Sequence, residues 1–405
     1  MKSILFKIWK FPKLSETFIV NQVILAIKLG YEVRILTEEV CDIPKNANQE
    51  LFREYKLEDK LILEDYKIPK TKFRRALKVT GLIFKRPDLL ASLLRFYRKS
   101  QRKGFFAVFQ FFFYKKLRDY DIIHIQFGTN KNPVDILKKT GFLKSRIIAS
   151  FHGHDLYFPI NNRIPNDGYY DLLFETADSL IANTPFLKEK LLDLGAPAEK
   201  IKAIPVAVNT QYFKPVFKKD VDKKIRLVTV GRMDELKGQE YGIRVVNRLI
   251  RKGMGIEYFL AGGGIYERRL KGLVKELELD KFVFFVGNLD QKRVCTILQA
   301  SDIFLMTSVI NKAGMEESQG LVTAEAQACG LPVVAFDTGG VKYTLINGET
   351  GFLCKEKDLD DFATKLEFLI KDHHLRVKMG IIARDFIEQE YSEISVRKKW
   401  RETYG

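Results

Sequence analysis

Residues 225–264 read IRLVTVGRMDELKGQEYGIRVVNRLIRKGMGIEYFLAGGG. An apolar run stops at Gly231, a helical pattern follows over 238–252, and a second apolar run stops at the glycines 262–264. Runs that short, apolar throughout instead of alternating, read as strands buried on both faces. A helix between two such strands returns the chain so that they lie parallel. The unit then repeats. FVFFVG (282–287), DIFLMTS (302–308) and LPVVAF (331–336) alternate with helical patterns at 265–278, 291–300 and 321–329. This predicts a parallel sheet covered by helices on both sides.

The same alternation fills the first half. Strand-like runs occur at Ile4–Ile8, Val33–Leu36, Ile122–Gln126, Ile147–Phe151, Ser179–Ala182 and Ile201–Ile204, with helical patterns that include Thr17–Leu29 and Pro185–Leu194. Between the halves, FKPVFKKDVDKK (213–224) is charged, contains proline and has no period, so it reads as a linker. A chain of 405 residues exceeds what one core usually serves. The expectation is two doubly wound domains, 1–212 and 225–390, with ligands bound in the cleft at the carboxyl ends of their strands. Residues 391–405 are expected to form a last helix that returns to the first domain.

Cys41, Cys295, Cys329 and Cys354 are widely spaced and form no CxxC or Cys/His cluster. That argues against a zinc site or a disulfide framework, and it fits a reducing, cytoplasmic compartment. MKSILFKIWKFPK is broken by Lys7 and Lys10, which suits a first strand better than a signal peptide. No run of eighteen apolar residues occurs, so no membrane-spanning helix is expected.

The net charge is +17, and residues 67–118 hold almost all of it: sixteen Lys or Arg stand there against the single acid Asp88. Leu89, Leu90, Leu93, Leu94, Phe96 and Tyr97 recur near helical spacing among Arg95, Arg98, Lys99, Arg102 and Lys103, and a Phe-rich stretch follows. Basic residues interleaved with apolar ones in this way suit the surface of an anionic membrane. A solvated helix face with its aromatics in the core is the plainer reading. No nucleic-acid-binding motif accompanies the charge, and nucleic acid is not expected as a partner.

Chemistry gathers at strand ends in the second half. VTVGRMDELKG offers Arg232 and Lys237 just after a glycine, where two cations can neutralise a diphosphate. In EESQGLVTAEAQACGLPVVAFDTGG (316–340), Glu317 and Glu325 flank a helix start whose backbone amides attract an anion. Acidic residues near a helix start also occur simply because they stabilise it. Neither a GxxxxGK[ST] phosphate loop nor a full dinucleotide glycine fingerprint is present. Asp220-Val-Asp222 and Asp358-Leu-Asp360 match a metal-binding DxD only by letter, and both read as solvated charge. No metal or cofactor is expected.

In order, GRMDELKG, FLAGGG, the Glu317/Glu325 stretch and NGETGFL resemble the donor half of family 4 retaining glycosyltransferases. FPKLSETFIVNQV, HIQFG and FHGHD resemble the acceptor half of the colanic-acid and amylovoran type that builds exopolysaccharides. The resemblance implies the α/β GT-B fold, two Rossmann-like doubly wound domains facing a central cleft. It also assigns roles. Arg232, Lys237 and the amides of Gly320, Leu321 and Val322 would hold the donor diphosphate. Glu325 would hold the nucleotide ribose, and Glu317 the hydroxyls of the donor sugar. His152 would touch that sugar or its phosphate, with His124 and Asp155 close by. Ser15, Glu16 and Thr17 would form a donor or acceptor loop, or else cap the first helix.

This chain departs from the family pattern after the first motif glutamate, where Ser318 and Gln319 replace the usual glycine and aromatic, and Glu316 adds a competing carboxylate. The expected activity is transfer of a hexose from a nucleotide diphosphate sugar, UDP-linked by preference, to a lipid-linked or growing saccharide. It is expected peripherally, at the inner face of the cell membrane. A sugar-nucleotide epimerase on the same fold, or a non-enzymatic polysaccharide-assembly protein, remains open.

Overall fold

A computed structural model describes residues 1–13, 16–41, 47–100, 103–216 and 224–405, and in it the chain divides into two units. The first comprises Met1–Ala182, Lys188–Ala203 and Thr403–Gly405; the second comprises Asn183–Leu187 and Ile204–Glu402. The boundary thus falls at Ile204, ahead of the expected 213. Phe213, expected in the linker, is buried in the second unit's core beside Val228 and Phe304. Residues 217–223, which include Asp220 and Asp222, lie outside the described residues.

In chain order the first half carries β1 (Ser3–Phe11), α1 (Thr17–Lys28), β2 (Glu32–Val40), α2 (Ala47–Glu54), β3 (Leu61–Leu63), α3 (Lys72–Lys85), α4 (Leu90–Lys99) and α5 (Phe105–Tyr114). There follow β4 (Ile122–Gln126), α6 (Val134–Lys139), β5 (Arg146–Phe151), α7 (Asp171–Thr176), β6 (Ser179–Ala182), α8 (Pro185–Asp193) and β7 (Ile201–Ala203). The strands form one parallel sheet in the order β3-β2-β1-β4-β5-β6-β7. Every residue of β4 is buried, the polar His124 and Gln126 among them, as in a strand covered on both faces.

The basic segment between β3 and β4 becomes three helices, and its apolar residues divide among them. Phe109, Phe111 and Phe112 of α5 are core, which corrects the expectation of a Phe-rich membrane patch. On α4, Leu93 and Phe96 turn inward while Leu90 and Leu94 stay exposed. On α3 only Val79 is buried, and Phe73, Leu77 and Phe84 are 78%, 66% and 79% exposed.

The second half runs β8 (Ile225–Val230), α9 (Gln239–Arg251), β9 (Ile256–Ala261), α10 (Glu267–Glu276), β10 (Val283–Gly287), α11 (Gln291–Gln299) and β11 (Ile303–Met306). It continues with α12 (Leu321–Ala328), β12 (Val333–Phe336), β13 (Gly351–Cys354), α13 (Leu359–Lys371), α14 (His373–Glu390) and α15 (Glu393–Tyr404). The parallel order is β10-β9-β8-β11-β12-β13. Leu227, Ile303, Leu305 and Val334 enter one core cluster, and their chain neighbours Val228, Phe304, Met306 and Val333 enter another. Successive residues of a strand point to opposite faces, so both faces of this sheet are covered. Asp358 accepts from the amides of Asp360 and Asp361 and caps α13, which gives it a structural use. In both sheets the order reverses, between β1 and β4 and between β8 and β11. Ligands of doubly wound sheets bind beyond the carboxyl ends of strands at such reversals.

Candidate functional site

The loops that leave β8 and β11 bring Arg232, Lys237 and Glu317 to the reversal in the second sheet. Gly238 ends the first loop and opens α9 with φ +57°, and a side chain there would run into the Thr307 carbonyl. Asp234 Oδ1 accepts from the Lys237 amide at 3.1 Å, the Thr307 hydroxyl donates to the Lys237 carbonyl at 3.1 Å, and Gln239 Nε2 donates to the Arg232 carbonyl at 2.7 Å. The backbone around both cations is therefore held. Their side chains differ. Arg232 extends into solvent, 3.5 Å from Asp234, whereas Lys237 is largely buried and pairs with Glu317. Ser308 Oγ donates to the same Glu317 oxygen at 3.4 Å.

The competition between the two neighbouring carboxylates is resolved by backbone. Glu316 Oε2 accepts from the Gly339 amide at 3.0 Å, which leaves Glu317 to face Lys237. Gly340 donates to the Glu317 carbonyl at 2.7 Å and packs so closely on the Ser318 carbonyl that no side chain fits there. Gln319 is buried and bonds both backbone groups of Val206, its Oε1 accepting from the amide at 2.9 Å and its Nε2 donating to the carbonyl at 3.2 Å. The departure at Gln319 therefore serves to anchor the loop.

Gly320, with φ +75°, then opens α12. Among the described residues, no group of the chain accepts from the amides of Leu321 and Val322. One turn on, burial and the nearby Cys295 thiol push the Glu325 carboxyl up to about 8, and among the described residues no hydrogen bond to it offsets that. An ion pair, open helix-start amides and an unpartnered carboxyl thus converge on one end of the sheet. Such an arrangement suits an anion flanked by hydroxyl groups.

The predicted residues of the first unit separate into two kinds. His124 lies wholly in the core, with Nδ1 2.9 Å from the Tyr404 hydroxyl and Nε2 2.7 Å from Ser150 Oγ. It is not a ligand contact. Asp155 is also buried, and it accepts from the amides of Gly128, His152 and Gly153 at 3.0 Å each. It holds the loop after β5, and burial raises its carboxyl. His152 stands at the end of that strand between the rings of Phe18 and Phe127, each 4.7 Å away. Its Nε2 meets Gln126 Oε1 at 2.9 Å, and its Nδ1 is buried without a partner. Burial, with a smaller contribution from His154, lowers its pKa to about 3, so the ring is neutral.

Ser15 lies outside the described residues. Glu16 takes the N-cap position of α1 without a side-chain cap and pairs with Lys13 at 2.8 Å, and Thr17 is the first helical residue. The helix-cap reading of Thr17 therefore does not hold. Gln126, Ser308 and Gln239 escaped sequence reasoning, because what marks them is their contacts and not their spacing. Among the described residues, no group of three or more His, Cys, Asp or Glu is arranged to hold a metal ion.

Residues 15–212 match the family model described as Glycosyltransferase Family 4, and residues 212–386 match Glycosyl transferases group 1. The chain is 28% identical over 392 residues to the amylovoran biosynthesis glycosyltransferase AmsK of Erwinia amylovora, covering 95% of this chain and 94% of that one. WcaL of Escherichia coli (strain K12), named as a colanic acid biosynthesis glycosyltransferase, is 27% identical over 401 residues, 97% of each chain. A GDP-mannose-dependent alpha-(1-6)-phosphatidylinositol monomannoside mannosyltransferase of Mycolicibacterium smegmatis is 27% identical over 259 residues, 59% of this chain and 64% of that one. The crystal structure of Anabaena HepE in complex with UDP and glucose matches with a TM-score of 0.71 at 17% identity, covering 100% and 99% of the two chains. That last likeness bears on the fold.

Proposed function

Since two glycosyltransferase family models meet end to end across residues 15–386, the chain belongs to the GT-B glycosyltransferases, and we propose that it transfers a hexose with retention of configuration. The donor is a nucleotide diphosphate sugar, and the acceptor is a lipid-linked or growing saccharide in surface polysaccharide assembly. The names of AmsK and WcaL support that setting. One observation carries the reading: the Lys237–Glu317 pair, the open amides of Leu321 and Val322 and the unpartnered Glu325 converge at the order reversal of the second sheet.

In this reading Arg232, Lys237 and the α12 amides receive the diphosphate, and Glu325 takes the ribose hydroxyls. Diphosphate binding draws Lys237 from Glu317, which frees that carboxylate for the sugar hydroxyls. The bond from C1 to the diphosphate oxygen breaks, and the acceptor oxygen bonds C1 on the same face. The acceptor proton passes to the departing phosphate oxygen. Positive charge fixed in advance where the leaving group gathers negative charge lowers the barrier, and these residues provide it without a metal.

The acceptor side is proposed to work against an anionic membrane at the inner face of the cell. Phe73, Leu77 and Phe84 are exposed on one face of α3, and Lys72, Arg74 and Lys85 of the same helix are exposed beside them. No helix among the described residues is long and apolar enough to cross a membrane.

UDP is named with HepE, and GDP-mannose with the mycolicibacterial relative. Binding and hydrolysis across a panel of UDP- and GDP-sugars tests the donor. We expect a UDP-hexose to bind and to be hydrolysed slowly without acceptor. Binding of GDP-sugars alone would overturn the nucleotide, and release of an epimerised sugar nucleotide would overturn the transferase.

A further inference from the structure

One side chain of the first unit touches both His124, which is buried, and His152, which is half-buried. Gln126 Oε1 lies 2.9 Å from His152 Nε2, and Gln126 Nε2 lies 3.3 Å from His124 Nε2. A side-chain amide has one accepting end and one donating end, so its two contacts must run in opposite senses. With the oxygen toward His152, that ring carries its proton on Nε2 and leaves Nδ1 as a lone pair. The amide nitrogen then donates to His124 Nε2, as does the Ser150 hydroxyl at 2.7 Å. The His124 proton is left on Nδ1, and it is given to the Tyr404 hydroxyl at 2.9 Å. Gln22 Nε2 also donates to that hydroxyl, at 2.8 Å.

Turning the amide over would reverse these contacts together. His152 would then carry a buried N–H at Nδ1, where the described residues offer no acceptor. An orphaned buried N–H is rarer than an orphaned acceptor. Both rings are neutral, since burial lowers each to about 3, so tautomer and not charge is what the contacts select.

We propose that Gln126 is a positioning residue that fixes the Nε2–H tautomer of His152, leaving Nδ1 as the acceptor for a hydroxyl of the bound sugar. The second half of this statement rests on the glycosyltransferase reading; the first does not. A buried polar atom without a partner in the chain calls for one from outside it.

Long-range nitrogen–proton NMR of the full chain labelled at histidine distinguishes the tautomers, and the chain has only five histidines to assign. Without substrate, wild type should show Nε2–H at His152 and Nδ1–H at His124. Gln126→Leu should release the His152 preference and lower kcat at least tenfold, with the donor KM changed less than threefold. Gln126→Glu offers acceptors at both ends. It should keep Nε2–H on His152, move the His124 proton to Nε2, and recover much of the lost kcat. An Nδ1–H signal at His152 in wild type, or an unchanged tautomer in Gln126→Leu, would overturn the proposal. Full turnover in a Gln126→Leu variant whose tautomer has changed would overturn the hydroxyl contact. If the Leu variant does not fold, the wild-type and Glu spectra still decide the tautomer. A wild type that turns over no donor would defeat the enzymatic reading and leave the spectra standing.

Discussion

Burial holds the Glu325 carboxyl at about 8, far above the ordinary carboxylate range, so ionising it costs the folded state free energy. The cost is absent below the unfolded value near 4.5, grows as the pH rises, and is complete above about 8. Glu325→Gln should therefore stabilise the ligand-free protein at pH 8.5 by roughly 1–3 kcal/mol and leave it unchanged near pH 4. Chemical denaturation at the two pH values reads this directly, and equal effects at both would contradict it. Ribose hydroxyls would favour the ionised form, so UDP binding at pH 7 should release close to one proton in wild type and none in the variant. Calorimetry in two buffers of different ionisation enthalpy measures that release. At Lys237 the expectation is simpler. Lys237→Ala removes a charge-assisted contact worth roughly 1.5–3 kcal/mol, so affinity for UDP and for the UDP-sugar should fall together while uridine binding holds. Calorimetric titration with all three ligands checks it, and unchanged UDP affinity would remove Lys237 from the diphosphate site.

At the scale of elements, the helices of the basic segment divide one composition between core and solvent. Phe109, Phe111 and Phe112 of α5 are core, whereas Phe73, Leu77 and Phe84 of α3 face solvent on one side of a helix that buries only Val79. Nothing in the local pattern separates these two sets of Phe, because each recurs at helical spacing and only the packing of α5 decides. Phe73→Ser/Leu77→Ser/Phe84→Ser should fold, since these side chains give the core little. It should lose salt-resistant binding to anionic vesicles by about two orders of magnitude, as about 1 kcal/mol of insertion is lost at each of the three sites. Lys72→Gln/Arg74→Gln/Lys85→Gln should instead lose the preference for anionic over neutral vesicles, by about 1 kcal/mol per charge before screening. Co-sedimentation at low and high salt tells the two apart. Wild-type vesicle binding by both variants would reject α3 as the membrane element.

On the scale of the whole molecule, the residues assigned to the nucleotide all lie in the second unit, and those assigned to the membrane all lie in the first. A ligand stabilises what it binds, by about 2.7 kcal/mol at a hundred times its Kd. For a unit of this size that is roughly 5–10 °C in Tm. Scanning calorimetry with UDP should therefore raise one of two unfolding transitions and leave the other near its original temperature. An equal shift of both would show that the nucleotide acts on the chain as one body.

The parallel sheets and the order of the strands along the chain were legible from the sequence, because buried parallel strands are apolar throughout, and so was the place of Arg232, Lys237 and Glu317 in the loops after strands. The edge strands β3 and β13 were not, although β7 is as short, because their few apolar residues sit between charged and polar neighbours. Phe213 read as linker because only contacts reveal that a residue between charged neighbours is core. Contacts also decided the roles of like residues. Glu316 turns to a backbone amide while Glu317 faces Lys237, and His124 sinks into the core with both nitrogens bonded while His152 keeps one nitrogen without a partner among the described residues. Residue type and spacing declare which chemistry is on hand, but a polar side chain's role depends on who satisfies its hydrogen bonds. For Gln126, Ser150 and Tyr404 those partners are up to 280 positions away in the chain, and only folding brings them together.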